Sequence, residues 1–517
     1  MRIRNMALVT VILLLIITNF RLADYANSRG LKILFIPLDT RPITYIYPQE
    51  VAQRRNIHFM LPPPELINGA DIDKLYQWLE ENISRVDGAV LSTDTLIYGG
   101  LIPSRRHNFP LKELQNRVEK LKDITKACPK VKVFAYTSIM RLPKEGGSEE
   151  EPPYYKQFGA KIYQFSVLKH KEQLGLLTPD ETKQIQELSS TIPSAYLDDY
   201  LARRSKNLAV TKELLQANPF DYLVLSRDDS SKFGFPRMEY LELRELLGPK
   251  SISITGADEI GLLLLARMVN VLEKRKLKVF VDYANPQATY LLPPYEDENL
   301  EQVVAEHITV TGSQIIKTPG DADLILMVNN LPGASLEAST RENSANRPEQ
   351  YLSDFVEKIK EYIGRGKPVS IADVAFANGA DNRLVELLLE NGLYFKLESY
   401  AGWNTASNSL GSAIAELMLQ GDKNKCLATR LVEDWAYQAN VRQKINCKIT
   451  EWGWNPCELK GKQRQFVEQL ILEKLNEFLN AHGIRNFTVT SVNLPWNRTF
   501  EIDFRINPHA GRARPKK

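Results

Sequence analysis

From Leu31 onward, short β-branched runs alternate with amphipathic helical stretches, and that alternation admits few folds. A helix placed between two strands returns the chain to the same edge of the sheet. Successive strands therefore run parallel, with the helices packed on the sheet faces. The spacing predicts strands over Lys32 to Pro37, His58 to Leu61, Gly88 to Ser92, Val131 to Tyr136, Tyr222 to Ser226 and Ser251 to Ile254. Further strands are expected over Val279 to Asp282, Leu324 to Val328, Val369 to Asp373 and Tyr394 to Ser399.

At 517 residues the chain exceeds what one hydrophobic core usually organises. The expected class is therefore α/β with mainly parallel sheet, either two Rossmann-like lobes or a TIM-like barrel with insertions, plus a small C-terminal α+β part. The expected divisions are residues 28–260, a second α/β unit over 261–421 and a C-terminal piece over 422–517. A helical insertion occupies about 153–217 and either caps a cleft or forms a solvated structural hairpin, with Arg204 and Asn207 as its residues of interest. The stretch Leu331 to Pro348, rich in Asn, Ser, Glu and Ala, reads as a mobile loop.

Residues 1–27 read as a signal peptide or signal anchor, because Arg2 and Arg4 precede an apolar run from Met6 to Ile17. The run is short for a spanning helix, and no clean small-residue cleavage site follows it. The protein is accordingly expected outside the cytoplasm, secreted or held at the cytoplasmic membrane by this segment alone. A net charge of +3 gives no support to nucleic acid as a partner. Four cysteines are too few to supply the main stability of an exported domain. Cys447 and Cys457 are placed either to form a bridge or to remain as thiols.

Several predicted strands end abruptly in polar clusters. A parallel sheet gathers ligand-facing residues at its carboxyl edge, so these clusters are expected to converge on one cleft. The sharpest is Ser226-Arg227-Asp228-Asp229. Neighbouring residues on an extended segment face opposite ways, so one carboxylate can act as general acid while the other orients substrate. The pair looks like the adjacent acids of substrate-assisted hexosaminidases, or else one Asp caps the following helix. Asp39 and Arg41 follow the first strand, while Asp94 through Arg105 bracket a Gly99-Gly100 turn. Asp373, Asn378 and Asp381 supply oxygens, and Trp403 with Asn404 offers a stacking face and an amide. Each of these also has a structural reading, as a cap, an ion pair or a buried ring. No phosphate loop, GxSxG elbow, HExxH spacing or EF-hand register occurs, so neither metal nor cofactor is expected.

Taken together, Pro37 to Pro42, Asp94 through Arg105, Ser226 to Asp229, Asp373 with Asn378 to Asp381, and Ala401 to Thr405 resemble the bacterial family designated domain of unknown function 4127. The resemblance spans most of the chain after the signal segment and implies membership without a reaction. The residues themselves point to an exported carbohydrate-active hydrolase, a glycoside hydrolase with Asp228 and Asp229 as catalytic carboxylates. Asp39, Arg41, Asp94, Arg105, Asp373, Asn378, Asp381, Trp403 and Asn404 are the expected substrate-binding residues. The alternatives are a non-catalytic envelope protein binding a sugar or anion, and an Asp-metal hydrolase. The expected partner is a carbohydrate or other polar small molecule.

Overall fold

Apolar strands buried on both faces, such as Gly88–Ser92 and Leu324–Asn329, can exist only inside a sheet covered by helices on each side. A computed structural model describes residues 30–53, 57–67, 71–144, 149–344, 350–420 and 422–508. The expected signal segment over 1–27 lies outside the described residues, and no described helix is long and apolar enough to cross a membrane.

Strands β1 (Lys32–Ile36), β2 (His58–Met60), β3 (Gly88–Ser92), β4 (Lys132–Ile139), β5 (Tyr222–Arg227) and β6 (Ser251–Thr255) form a six-stranded sheet in the order β2-β1-β3-β4-β5-β6. All its pairings are parallel. A second, five-stranded sheet follows, from β7 (Lys278–Tyr283), β8 (Gln314–Ile316), β9 (Leu324–Asn329), β11 (Val369–Asp373) and β13 (Ser399–Ala401). Its order is β13-β11-β9-β7-β8, again wholly parallel. Two short strands, β10 (Leu336–Glu337) and β12 (Phe376–Ala377), pair beside it, and β14 (Phe487–Asn493) with β15 (Asp503–Pro508) makes an antiparallel C-terminal ribbon.

Renumbered within itself, each large sheet follows the same doubly wound order 2-1-3-4-5, the first extended by β6. Such a sheet reverses its winding between its first and third strands, and a crevice opens there at the carboxyl ends. Two open sheets, not one closed barrel, are therefore present. Their shared core contains the helices Ile260–Leu272 and Ala406–Leu419. The first of these is apolar almost all round, as a helix enclosed by packed elements must be.

Two local expectations change. Tyr394–Lys396 is a 3-10 turn and only Ser399–Ala401 joins the sheet, because Leu393, Tyr394 and Leu397 are consumed by the core beneath it. The described part of the stretch expected as a mobile loop, residues 331–344, carries β10 and is pinned by Asn343, whose amide donates to the carbonyls of Ala338 and Ala380. The helical insertion is present as Tyr155–Gln173, Pro179–Thr191 and Ser194–Ala217, with its own apolar cluster.

Candidate active site

The loops at the carboxyl ends of both sheets enclose a cavity of about 530 Å³, closed on a further side by the C-terminal piece. Asp228 and Asp229 follow β5, and Asp258 follows β6. Asn404 and Thr405 follow β13, and Arg442, Arg498 and Phe500 come from the C-terminal piece. The two lobes are stitched together at the rim. Across that seam Ser230 donates its backbone N–H to the Tyr295 carbonyl at 3.0 Å, while within the second lobe the Asn378 backbone N–H donates to the Asn404 carbonyl at 2.8 Å.

The backbone is unusual along this wall. Asp229 (φ 40), Tyr295 (φ 69), Asn378 (φ 61) and Asn404 (φ 58) all adopt left-handed conformations while lining the cavity. Non-glycine residues there cost free energy and cluster where a side chain must be aimed.

The charges form an interlocked set. Arg105 donates to Asp228 Oδ2 and to Glu150 Oε2, both at 2.6 Å. Arg141 donates to Asp229 Oδ2 and Glu151 Oε1, both at 2.9 Å. Glu150 also accepts from Arg141 and Arg498. Burial pushes its carboxyl up, but Arg141, Arg105 and Arg498 outweigh that and hold it well below the usual carboxylate range. Arg41 bridges Asp39 and Asp258, donating to Asp258 Oδ2 at 3.2 Å.

Three cavity carboxyls move the opposite way. Burial, reinforced by the adjacent Asp228 charge and opposed by Arg141, raises Asp229 to about 6. Its side chain nevertheless keeps 25% of its surface accessible. Burial raises Asp258 to about 7 against the pull of Arg41. Glu296 also reaches about 7 through burial, although it accepts the Ser407 N–H at 3.1 Å. A carboxyl poised near neutrality and in reach of a ligand can deliver a proton.

Of the residues anticipated from sequence, Arg41, Arg105, Asp228, Asp229, Asn378 and Asn404 line the cavity. Asp39, Asp94, Asp373, Asp381 and Trp403 do not, and their expected contact with substrate is corrected by their burial. Asp39 is spent on Arg41 and Thr44. Asp94 accepts the Ser138 N–H at 3.1 Å. Asp373 is held by Asn329, Tyr400 and the Asp381 N–H, while Asp381 caps the helix Asn382–Glu390. Trp403 packs edge-on against Phe500 in the interior. In the insertion, Arg204 is buried against Glu239, and Asn207 is buried against His107 and the Ser104 carbonyl. Cys128, Cys447 and Cys457 are free thiols, with Cys447 and Cys457 exposed, so the two do not form a bridge.

Sequence reasoning missed Arg141, Glu150, Asp258, Glu296, Arg442, Arg498 and Phe500. For Asp258 the signal was present, since Gly256-Ala257-Asp258 follows β6 as the other clusters follow their strands. For Arg442 and Arg498 no local signal exists, because neither follows a strand of either large sheet.

No curated protein matches the chain. Among solved structures, one described as the first ketoreductase of the tylosin PKS is 11% identical, with 75% of each chain covered and a TM-score of 0.17. A likeness that slight carries no argument. Residues 33–505 match the family model described as Protein of unknown function (DUF4127), and the chain belongs to that family.

Proposed function

We propose that this member of the DUF4127 family is a carbohydrate-active hydrolase that cleaves a glycosidic bond in the cavity between its two sheets. The observation that carries this reading is Asp229, an accessible carboxyl raised to about 6 and fixed by Arg141. Glycoside cleavage needs an acid that is still protonated near neutral pH and can reach the leaving oxygen. Asp229 fits that role. Asp228, clamped by Arg105, is suited to orienting a substrate group or stabilising positive charge that develops on the sugar. Asn378, Asn404 and Thr405 present amide and hydroxyl groups to sugar hydroxyls. The basic N-terminus and the apolar run after it support an extracytoplasmic setting.

The test is reducing-end release from a panel of oligosaccharides by the full chain and by Asp229→Asn. The variant should lose on the order of a hundredfold or more in kcat while keeping its circular dichroism spectrum. The wild-type rate should fall as pH rises past about 6, as the Asp229 proton is lost. Wild-type turnover by the variant would remove Asp229 from the reaction.

A second reading, a non-catalytic sugar- or anion-binding protein, is favoured by Arg442, a cavity cation with no carboxylate within ion-pair distance among the described residues. Binding without turnover across the same panel would select it. The metal-dependent reading has no group of three or more His, Cys, Asp or Glu to build on among the described residues.

A further inference from the structure

Four of the cavity arginines are neutralised by protein carboxylates. Arg41 faces Asp39 and Asp258, Arg105 faces Glu150 and Asp228, Arg141 faces Glu150, Glu151 and Asp229, and Arg498 faces Glu150 and Glu501. Arg442 differs. It is half-buried and lines the same cavity, yet among the described residues its bonds are confined to Nη1, which donates to Gln438 Oε1 and, at 3.2 Å, to the Phe500 carbonyl. Its guanidinium lies 5.2 Å from the Phe500 ring centroid, a contact that restrains the plane of the fork. Nε and Nη2 have no bonded acceptor among the described residues. Burial lowers its pKa, against the pull of Tyr437 and Glu433.

One helical turn further along Arg442–Glu451 stands Asn446, which also lines the cavity. Positions i and i+4 share a helix face, so the two side chains are neighbours. The Thr499 hydroxyl donates to Asn446 Oδ1 at 2.7 Å, which occupies the amide oxygen and leaves the amide nitrogen as the group available to a ligand. The Nε and Nη2 edge of the guanidinium and the Asn446 amide N–H thus sit side by side, with no bonded acceptor for either among the described residues.

We infer that Arg442 and Asn446 form a subsite for a carboxylate, and that the sugar bound in this cavity is an acidic one of the uronic-acid class. This deepens the hydrolase reading and rests on it for the sugar. A planar carboxylate matches the two-pronged fork, and a single negative charge suits the lining arginine that has no carboxylate within ion-pair distance among the described residues. A dianionic phosphate would be left with excess charge beside Glu150 and Asp228, which line the same walls. The subsite lies on the C-terminal piece and the acid on the first lobe, so the subsite sets which sugar is held and Asp229 acts on its bond.

The test is calorimetric binding to the full chain of the methyl glycosides of glucuronic, galacturonic and mannuronic acid, each against its neutral hexoside. At least one uronide should bind about tenfold or more tighter than its neutral partner, as expected for a charge-assisted bidentate contact. Arg442→Gln should bring that ratio to within about twofold, and Arg442→Lys, which keeps the charge but loses the fork, should leave an intermediate ratio. If Arg442→Gln does not fold, Arg442→Lys carries the test alone, and an undiminished ratio in it overturns the inference. Equal binding of acid and neutral partner, a ratio unchanged in Arg442→Gln, or binding of neither class also overturns it. Turnover separates the two readings. A uronide held through Arg442 but never hydrolysed sinks the hydrolase and keeps the subsite, whereas neutral glycosides hydrolysed as well as uronides do the reverse.

Discussion

Asp94→Asn is expected to stabilise the protein above neutral pH and to lose that advantage in acid. Asp94 is 1% exposed, and burial raises its carboxyl from the ordinary 3.8 to about 7, despite the Ser138 hydrogen bond and the nearby Arg105. In the unfolded chain the group loses its proton near pH 4, while in the folded chain it holds it to about 7. Because the folded state binds the extra proton, the contribution to stability is fully present below about pH 4, declines as pH rises and is gone above about 7. A displacement of roughly 3 in pKa corresponds to about 4 kcal/mol, taken as an order of magnitude. Asparagine copies the shape of the protonated acid, keeps an oxygen to accept the Ser138 N–H and does not titrate. Urea unfolding at half-unit steps from pH 4 to 8, followed by fluorescence and circular dichroism together, should show the variant gaining on wild type through this window and levelling above it. A difference that stays flat with pH would refute the idea that Asp94 is a buried acid carried neutral.

Arg105→Ala should destabilise by about 3–5 kcal/mol in urea unfolding, because Asp228 and Glu150 would keep their burial and lose their shared cation. Trp403→Ala should cost about 3–5 kcal/mol by the same assay, since a 2% exposed indole is removed from the interior. Unchanged stability with weakened sugar binding would restore Trp403 to the cavity surface.

Much of the scaffold was legible in consecutive residues. The switch from a short β-branched apolar run to a period near three and a half marks where a strand yields to its helix. The polar clusters that close β1, β3, β5 and β13 mark carboxyl ends, and Arg41, Asp228, Asp229 and Asn404 reach the cavity from three of them. Asp94, at the fourth, does not. Its strand-end position is indistinguishable in sequence from that of Asp228, but Asp94 lies in the first turn of Thr93–Tyr98, a helix packed wholly inside the lobe. Asp373 and Asp381 fail for a related reason, being bound to Asn329, Tyr400 and a helix N-terminus before any ligand could reach them.

The chain order by itself determined parallel sheet covered by helices and the edge at which ligand-facing groups gather, because strand and helix patterning and strand-end polarity are local properties of neighbouring residues; two open sheets in place of one barrel was a decision of the tertiary structure. Only the tertiary structure decided which charges meet. Arg105 finds Asp228 across 123 positions of sequence, and Arg498 finds Glu150 across 348. Arg442, from the C-terminal piece, reaches the same wall without a carboxylate partner among the described residues. A side chain's counter-charge is set by where the whole path of the chain brings it, and by how much water that path excludes, and neither quantity is written in the residues on either side of it.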